Sequence, residues 1–340
     1  MNASLHATTM PPQGGIALRV RRRLIRIPLR EADPVRRGFR IASSEMTDRL
    51  HGIGLTFLGG CHAAIEEADV DGLMRRLEAV PLAERGFAYE GAAMGITICD
   101  LLSGASHRRW PEFRRRATAH CYMIQVGAGW ALARIPVPPH RLLSQLDPLL
   151  GWLAIDGFGF HEGYFQARRL LAARIAPPRS LRGYAHRAFD QGLGRSLWFA
   201  AGGEPIAIVN ALAAFGPERR SDLWSGIGLA CTYAGGASEP AIATLCDLAT
   251  RSGHHAALAQ GAAFAARARL RAGNDVPHTE IACRQICHLS ATRAAAIPDQ
   301  ELAALPPDRG AIGGPLPRYE RWRAAIQARF MEESQEGRKA

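Results

Sequence analysis

At 340 residues, with 47% hydrophobic and 21% charged residues, the chain has the composition of a core-forming protein and the length of two ordinary domains or one large repeat array, which excludes wholesale disorder. A mean hydropathy of −0.08, with no apolar run near the ~20 residues of a bilayer span, excludes an integral membrane protein built of helices. The net charge of +11 comes almost wholly from arginine, since Lys339 is the only lysine, and because these arginines are mostly scattered they argue against a nucleic-acid partner.

In chain order, the first thirty residues carry Arg21, Arg22, Arg23, Arg26 and Arg30, which interrupt every apolar stretch after Pro11. The segment therefore lacks the apolar core of a secretory signal, and a cytoplasmic location is expected. Residues 1–45 read as a basic N-terminal extension and cap, either a docked terminal helix or a segment touching an anionic surface. The seven cysteines Cys61, Cys99, Cys121, Cys231, Cys246, Cys283 and Cys287 include no CxxC pair and sit mostly in apolar helical contexts. They are expected to be reduced core thiols.

Residues 46–295 read as a helical repeat array. A glycine, followed two positions later by a small residue and then an apolar stretch, recurs at Gly52, Gly91, Gly127, Gly157, Gly192, Gly226 and Gly261, at steps of 39, 36, 30, 35, 34 and 35 residues. The small partners are Gly54, Ala93, Gly129, Gly159, Gly194, Gly228 and Ala263. Later copies end at Gly202-Gly203, Gly235-Gly236 and Gly273, as suits a left-handed helix cap. A second periodic segment follows: in SEPAIATLCDLATRSG, Ile242, Leu245 and Leu248 fall three apart, with Pro240 where a first helical turn tolerates it. The unit is a helical hairpin of about 35 residues, so the expected fold is all-α, either a tetratricopeptide-like superhelix or a closed α/α toroid. The glycines imply close helix packing, or alternatively backbone exposed to a ligand. Residues 296–340 read as a Pro- and Gly-rich linker, a C-terminal helix and a polar tail.

With the copies superposed, the position before the first glycine holds Glu90, Val126, Asp156, Gln191, Ser225 and Gln260. Five of these six are polar, and equivalent positions on stacked helices face the same way, so they are expected to line one surface or cavity. Tyr89, Asp190 and Trp224 are their neighbours. The stretch DGFGFHEGYF adds His161, Glu162 and Tyr164, with His161 and Tyr164 on a shared face; a carboxylate beside His and Tyr can move a proton, or can simply serve an inter-repeat hydrogen-bond network. In RAFDQGLGRSLWF, Asp190 and Arg195 either clamp an anionic or carbonyl group or pair across the groove. The candidate acid–base groups are Glu90, Asp156, His161, Glu162 and Asp190; the candidate ligand-binding groups are Gln191, Arg195, Trp224, Ser225 and Gln260. In DLWSGIGLACTYAGG, Trp224 and Tyr233 suit a core better than a ligand platform.

Several familiar signatures fail letter by letter. Phe165 stands where HExxH needs its second histidine, and Phe57 where GxGxxG needs its last glycine. No GxSxG surrounds Ser196 or Ser225. Cys283, Cys287 and His288 are spaced one residue too widely for haem attachment and fall short of a zinc set. No cofactor or metal is expected.

The strings YEGAAMG, VGAGWALAR, DGFGFHEGYF, FDQGLGRSLWF, LWSGIGLACTYAGG, LAQGAAFAARAR and HTEIAC resemble an uncharacterised bacterial family that recurs in enediyne polyketide gene clusters. The resemblance runs from about residue 36 to about residue 325. It implies a role in building or maturing the enediyne core beside the iterative polyketide synthase, and it supplies no catalytic residues. Two functions from different classes follow. One is a cavity that binds or processes a hydrophobic, polyene-derived polyketide intermediate, in which an isosteric Glu162→Gln abolishes product. The other is a helical-repeat adaptor for a carrier protein or other pathway protein, which tolerates such a change.

Overall fold

The computed structural model describes residues 26–103, 108–306 and 316–336. Among them the protein is all-α, with no strand. Nine helices carry the architecture: α1 (Ser44–Glu66), α2 (Arg85–Ser103), α3 (Cys121–Trp130), α4 (Trp152–Phe165), α5 (Ala185–Ala200), α6 (Pro217–Ala234), α7 (His255–Arg271), α8 (Ala291–Ala304) and α9 (Arg318–Glu336). Further helices, such as Val70–Glu78, Pro205–Ala213 and Glu239–Arg251, alternate with them along the chain.

Local chemistry sets the helix ends. Ser43 Oγ accepts from Met46 N at 3.1 Å to open α1, and Ser290 caps α8 in the same way, each meeting an amide that the first turn leaves unpaired. At the other end, Gly202, Gly203, Gly235, Gly236 and Gly273 all have positive φ, as glycine alone adopts freely, but Gly235, with φ 70° and ψ −153°, lies outside the left-handed helical region.

The glycine pairs hold the row together through backbone contact. A Cβ placed on Gly127, Gly157, Gly192, Gly226 or Gly261 would lie 1.8–2.0 Å from the carbonyl oxygen of Glu90, Val126, Asp156, Gln191 or Ser225 respectively. Each first glycine thus receives the carbonyl of the residue before the first glycine of the preceding helix. The second glycine faces the other way: Gly129, Gly159, Gly194 and Gly228 meet Ala154, Phe189, Leu223 and Leu258 on the following helix, at 1.8–2.1 Å for the same hypothetical Cβ. Every pair is a two-sided notch. Glycine is required because a methyl group would push the backbones apart, and the close approach favours weak Cα–H···O contacts.

This register corrects the first copy. Gly52 meets nothing within 4 Å, whereas a Cβ on Gly91 would meet Phe57 O at 1.8 Å and one on Gly60 would meet Ala88 O at 1.9 Å. The notch of α1 is therefore Leu58 to Gly60, and the first step shortens to the 33 residues between Leu58 and Gly91. Gly52 and Gly54 matched the pattern by coincidence of letters; Gly54 instead packs on Ala32 and Tyr164.

The row curls until early and late members touch. Phe87 of α2 meets Tyr233 of α6 edge-on at 5.2 Å, Tyr122 of α3 meets Phe264 of α7 at 6.4 Å, and Arg49 of α1 donates to Ala234 O at 2.8 Å. The inside of the curl is largely filled by side chains, leaving separate chambers. Ile27 is buried and its carbonyl lies 2.8 Å from His62 Nε2, so the chain entering α1 is packed down. Residues 1–25, including Arg21, Arg22 and Arg23, lie outside the described residues.

Five of the seven cysteines are buried and all seven are free thiols. Burial pushes the Cys61 thiol up to about 12, which leaves it protonated and unreactive.

Candidate functional site

The curl of α1 to α5 leaves a small chamber of about 40 Å³, walled by Phe57, Phe87, Trp130, Phe160, Tyr164 and Phe199. That volume is well below the range of about 300–1,000 Å³ usual for small-molecule sites, so a drug-sized ligand enters only if the aromatic walls move apart. Ile27 and Glu31 line it from the N-terminal segment, and Glu90 and Arg195 bring polar groups in from α2 and α5.

Glu90 and Arg195 belong to a buried triad with Asp156. Arg195 Nη1 donates to Asp156 Oδ1 at 2.5 Å, and its Nη2 lies 3.7 Å from Glu90 Oε1. The guanidinium also sits 4.7 Å from the centroid of the Phe160 ring, a cation–π contact strengthened by desolvation. Trp130 Nε1 donates to Glu90 Oε1 at 3.2 Å. One positive charge thus serves two carboxyls. Burial pushes Glu90 up to about 7; Arg195 opposes the rise and the Asp156 charge adds to it. Asp156 is also raised by burial, against the pull of Arg195. Its short charge-assisted bond favours its ionised form, so the proton resides on Glu90, whose carboxyl can give or take it near neutral pH. Asp156 Oδ2 is buried without a partner among the described residues.

His161 lies outside this chamber. Its ring meets Trp130 edge-on at 5.3 Å, Tyr164 meets the same indole at 5.9 Å, and the two do share a face. Burial lowers the His161 pKa, so the imidazole is neutral at pH 7. Its Nδ1 is 3.3 Å from Glu162 Oε1, and Glu162 accepts from Gln166 Nε2 at 2.6 Å.

Residues 16–330 match the model of a family described as "Protein of unknown function (DUF1702)". The chain belongs to the DUF1702 family. No curated protein and no solved structure matches it. The match includes every chamber residue of this DUF1702 chain and most of α9. No helix among the described residues is long and apolar enough to cross a membrane, and no cluster of three His, Cys, Asp or Glu able to hold a metal occurs among them.

The remaining candidates of the DUF1702 chain are drawn elsewhere. Asp190 and Arg195 do not pair with each other and form no clamp: Asp190 accepts from Arg219 Nε at 2.9 Å and Nη2 at 2.5 Å, while Arg195 turns to Asp156. The two are five apart on one helix and so point in different directions. Gln191, Ser225 and Gln260 are buried but belong to a network under α9. Gln191 Nε2 donates to Tyr319 OH at 3.4 Å, Ser225 Oγ to Gln260 Oε1 at 2.8 Å, and Arg323 Nε to the same Gln260 oxygen at 3.3 Å. Arg323 also donates to Asp222 Oδ1 at 2.9 Å and Tyr184 OH at 3.1 Å. Trp224 is a core residue, 1% exposed. The recurring inner position therefore serves two centres, with Glu90 at the chamber and Asp156 behind it on Arg195, and the later copies beneath α9, because the curl points equivalent side chains at different parts of the interior.

Sequence reasoning missed Trp130, which orients Glu90, and Arg323, which is fully buried. Trp130 carried a faint signal as an indole three residues after Gly127. Arg323 carried none: RYERWR reads as a solvated helix face.

Proposed function

We propose that the chain binds a polyene-derived intermediate of enediyne-type polyketide biosynthesis in the aromatic chamber, in the cytoplasm, and that Glu90 moves a proton on it. The observation that carries this reading is a carboxyl held near neutrality inside an aromatic box. Flat aromatic walls suit a planar conjugated chain. Neutral Glu90 donates its proton to one carbon of the chain, and the carboxylate left behind is stabilised by Arg195 at 3.7 Å. Taking a proton back from a second carbon completes an isomerisation and restores Glu90. Asp156 is a positioning residue that holds Arg195, and Trp130 holds Glu90. Asp190, Gln191, Trp224, Ser225 and Gln260 serve the fold.

The test is deletion in the producing host and complementation with Glu90→Gln and Glu162→Gln, reading metabolites by mass spectrometry and protein level by blot. Glu90→Gln is expected to accumulate a polyene-sized precursor at normal protein level, while Glu162→Gln, outside the chamber, restores product. Full product from Glu90→Gln overturns the proton-transfer reading. It would favour a non-catalytic adaptor for a carrier or other pathway protein, which the +11 charge also suits, since an acidic partner would be drawn to a basic surface.

A further inference from the structure

The outer face of the molecule carries a groove between the helix Trp110–Arg116, α3, the turn before α4, α7, α8 and α9. Its volume of about 680 Å³ lies inside the range of about 300–1,000 Å³ usual for small-molecule sites. Four arginines, Arg114, Arg115, Arg267 and Arg271, line it against two acids, Asp147 and Asp299, which leaves a surplus of two positive charges. Arg267 and Arg271 lie four apart on α7 and so project from one face of that helix.

Both acids are engaged by their own neighbours. Asp299 accepts from Arg267 Nε at 2.8 Å, and Asp147 Oδ1 accepts from the amides of Leu149 and Leu150 in its own turn. The arginines are less committed. Arg114 and Arg115 are exposed and have no ion pair among the described residues. Arg271 Nε donates to Thr118 O at 3.1 Å, a neutral carbonyl that leaves its charge unmatched. Gln125, one turn beyond Tyr122 on α3, lines the same groove, is 1% exposed, and its Oε1 has no hydrogen-bond partner among the described residues. A buried amide oxygen left over in this way marks a place where an N–H or O–H of a ligand completes the bonding. Tyr122, Leu150 and Trp322 add apolar surface to the lining.

We propose that the groove is a binding site for a small phosphomonoester whose body has an aromatic or apolar portion and an N–H or O–H donor. A carboxylate brings one charge and two oxygens. A phosphomonoester brings about −1.5 to −2 charges and three acceptor oxygens at pH 7, which matches the surplus of two and lets more than one planar guanidinium fork bond it at once. The donor of the body answers Gln125 Oε1, and the apolar portion is removed from water against Tyr122, Leu150 and Trp322. The groove is separate from the chamber of Glu90, so neither reading depends on the other.

The experiment is calorimetric titration of the full chain with phenyl phosphate, benzoate, phenol, adenosine 5′-monophosphate and polyglutamate. Phenyl phosphate is expected to bind at least about tenfold tighter than benzoate or phenol, and adenosine monophosphate, which adds hydroxyl and amine donors, tighter still. The double variant Arg114→Gln, Arg115→Gln, which changes only exposed side chains, should weaken both phosphomonoesters severalfold at an unchanged melting temperature. Gln125→Leu removes an unpaired amide and so should not destabilise the free chain; it should weaken adenosine monophosphate severalfold more than phenyl phosphate. Equal losses for the two ligands would overturn the part assigned to Gln125. Equal binding of phenyl phosphate and benzoate, or affinities untouched by the double variant, overturns the proposal. Binding of polyglutamate without either phosphomonoester overturns it as well, and would make the groove a face for an acidic protein segment.

Discussion

Glu90 is a carboxyl placed where a carboxylate is disfavoured, and the consequence is a pH dependence of opposite sign to the usual acid. Its folded pKa of about 7 lies above the ordinary 4.5, so its contribution to stability is complete below about pH 4.5 and is lost as pH rises through about 7. The span corresponds to about 3 kcal/mol at 1.36 kcal/mol per unit. Glu90→Gln should therefore flatten the stability profile, and urea unfolding of both proteins across that range checks it; parallel profiles would contradict it. Arg323 makes the contrasting case. Replacing it with Met leaves Asp222 buried with only Arg187, whose Nε donates to it at 2.9 Å, and leaves Glu320 with one cation fewer. Removing one partner of a buried ion network costs about 3–5 kcal/mol, so Arg323→Met should lower the urea midpoint sharply. Glu90 and Asp156 were legible as a pair because superposed repeats align them. Glu162 and Asp190 looked equally chemical, yet their partners, Gln166 and Arg219, take them out of the chamber.

At the scale of the helix, the notch is the unit that decides tolerance to change. Gly192→Ala would place a methyl group 1.8 Å from Asp156 O, a backbone atom that cannot rotate away, and is expected to cost about 2–4 kcal/mol. Gly52→Ala meets nothing within 4 Å on an exposed helix face and should stabilise by about 0.5–1 kcal/mol through helix propensity. Thermal melts of the two variants should shift in opposite directions. Shifts of the same sign would mean that Gly52 is held in a contact or that the notch relaxes. Spacing made the notches visible in the sequence, but it could not tell the coincidental GIG at Gly52 from the working Leu58 to Gly60, because only packing against α2 separates them.

At the scale of the molecule, α9 ties the middle of the row, at α5, to its last member, α8. Trp322 Nε1 donates to Pro298 O at 2.6 Å, Arg187 Nη1 lies 2.5 Å from Glu320 Oε1, and Tyr319 and Trp322 are each 1% exposed. A chain ending at residue 306 would uncover Asp222, Gln260 and Tyr184 without their cation. It should lose cooperative unfolding while keeping most of its helical far-ultraviolet signal, as checked by circular dichroism melts in the far and near ultraviolet. A truncated chain that melts as sharply as the full one would show that α9 is dispensable.

The sequence by itself determined the all-α class, the recurrence of the glycine pairs, the positive-φ glycines at helix ends and the buried pair Glu90 and Asp156, because helical periodicity and glycine spacing are local properties that survive without knowledge of the fold. Tertiary structure decided that Arg195 joins Asp156 and Glu90 rather than Asp190, and that Gln191, Ser225 and Gln260 serve α9. Those outcomes depend on how far the row curls, and the curl is the sum of backbone approaches at every notch. The pKa of Glu90 follows from the same closure, since desolvation and the distance to Arg195 exist only once α2, α4 and α5 have met.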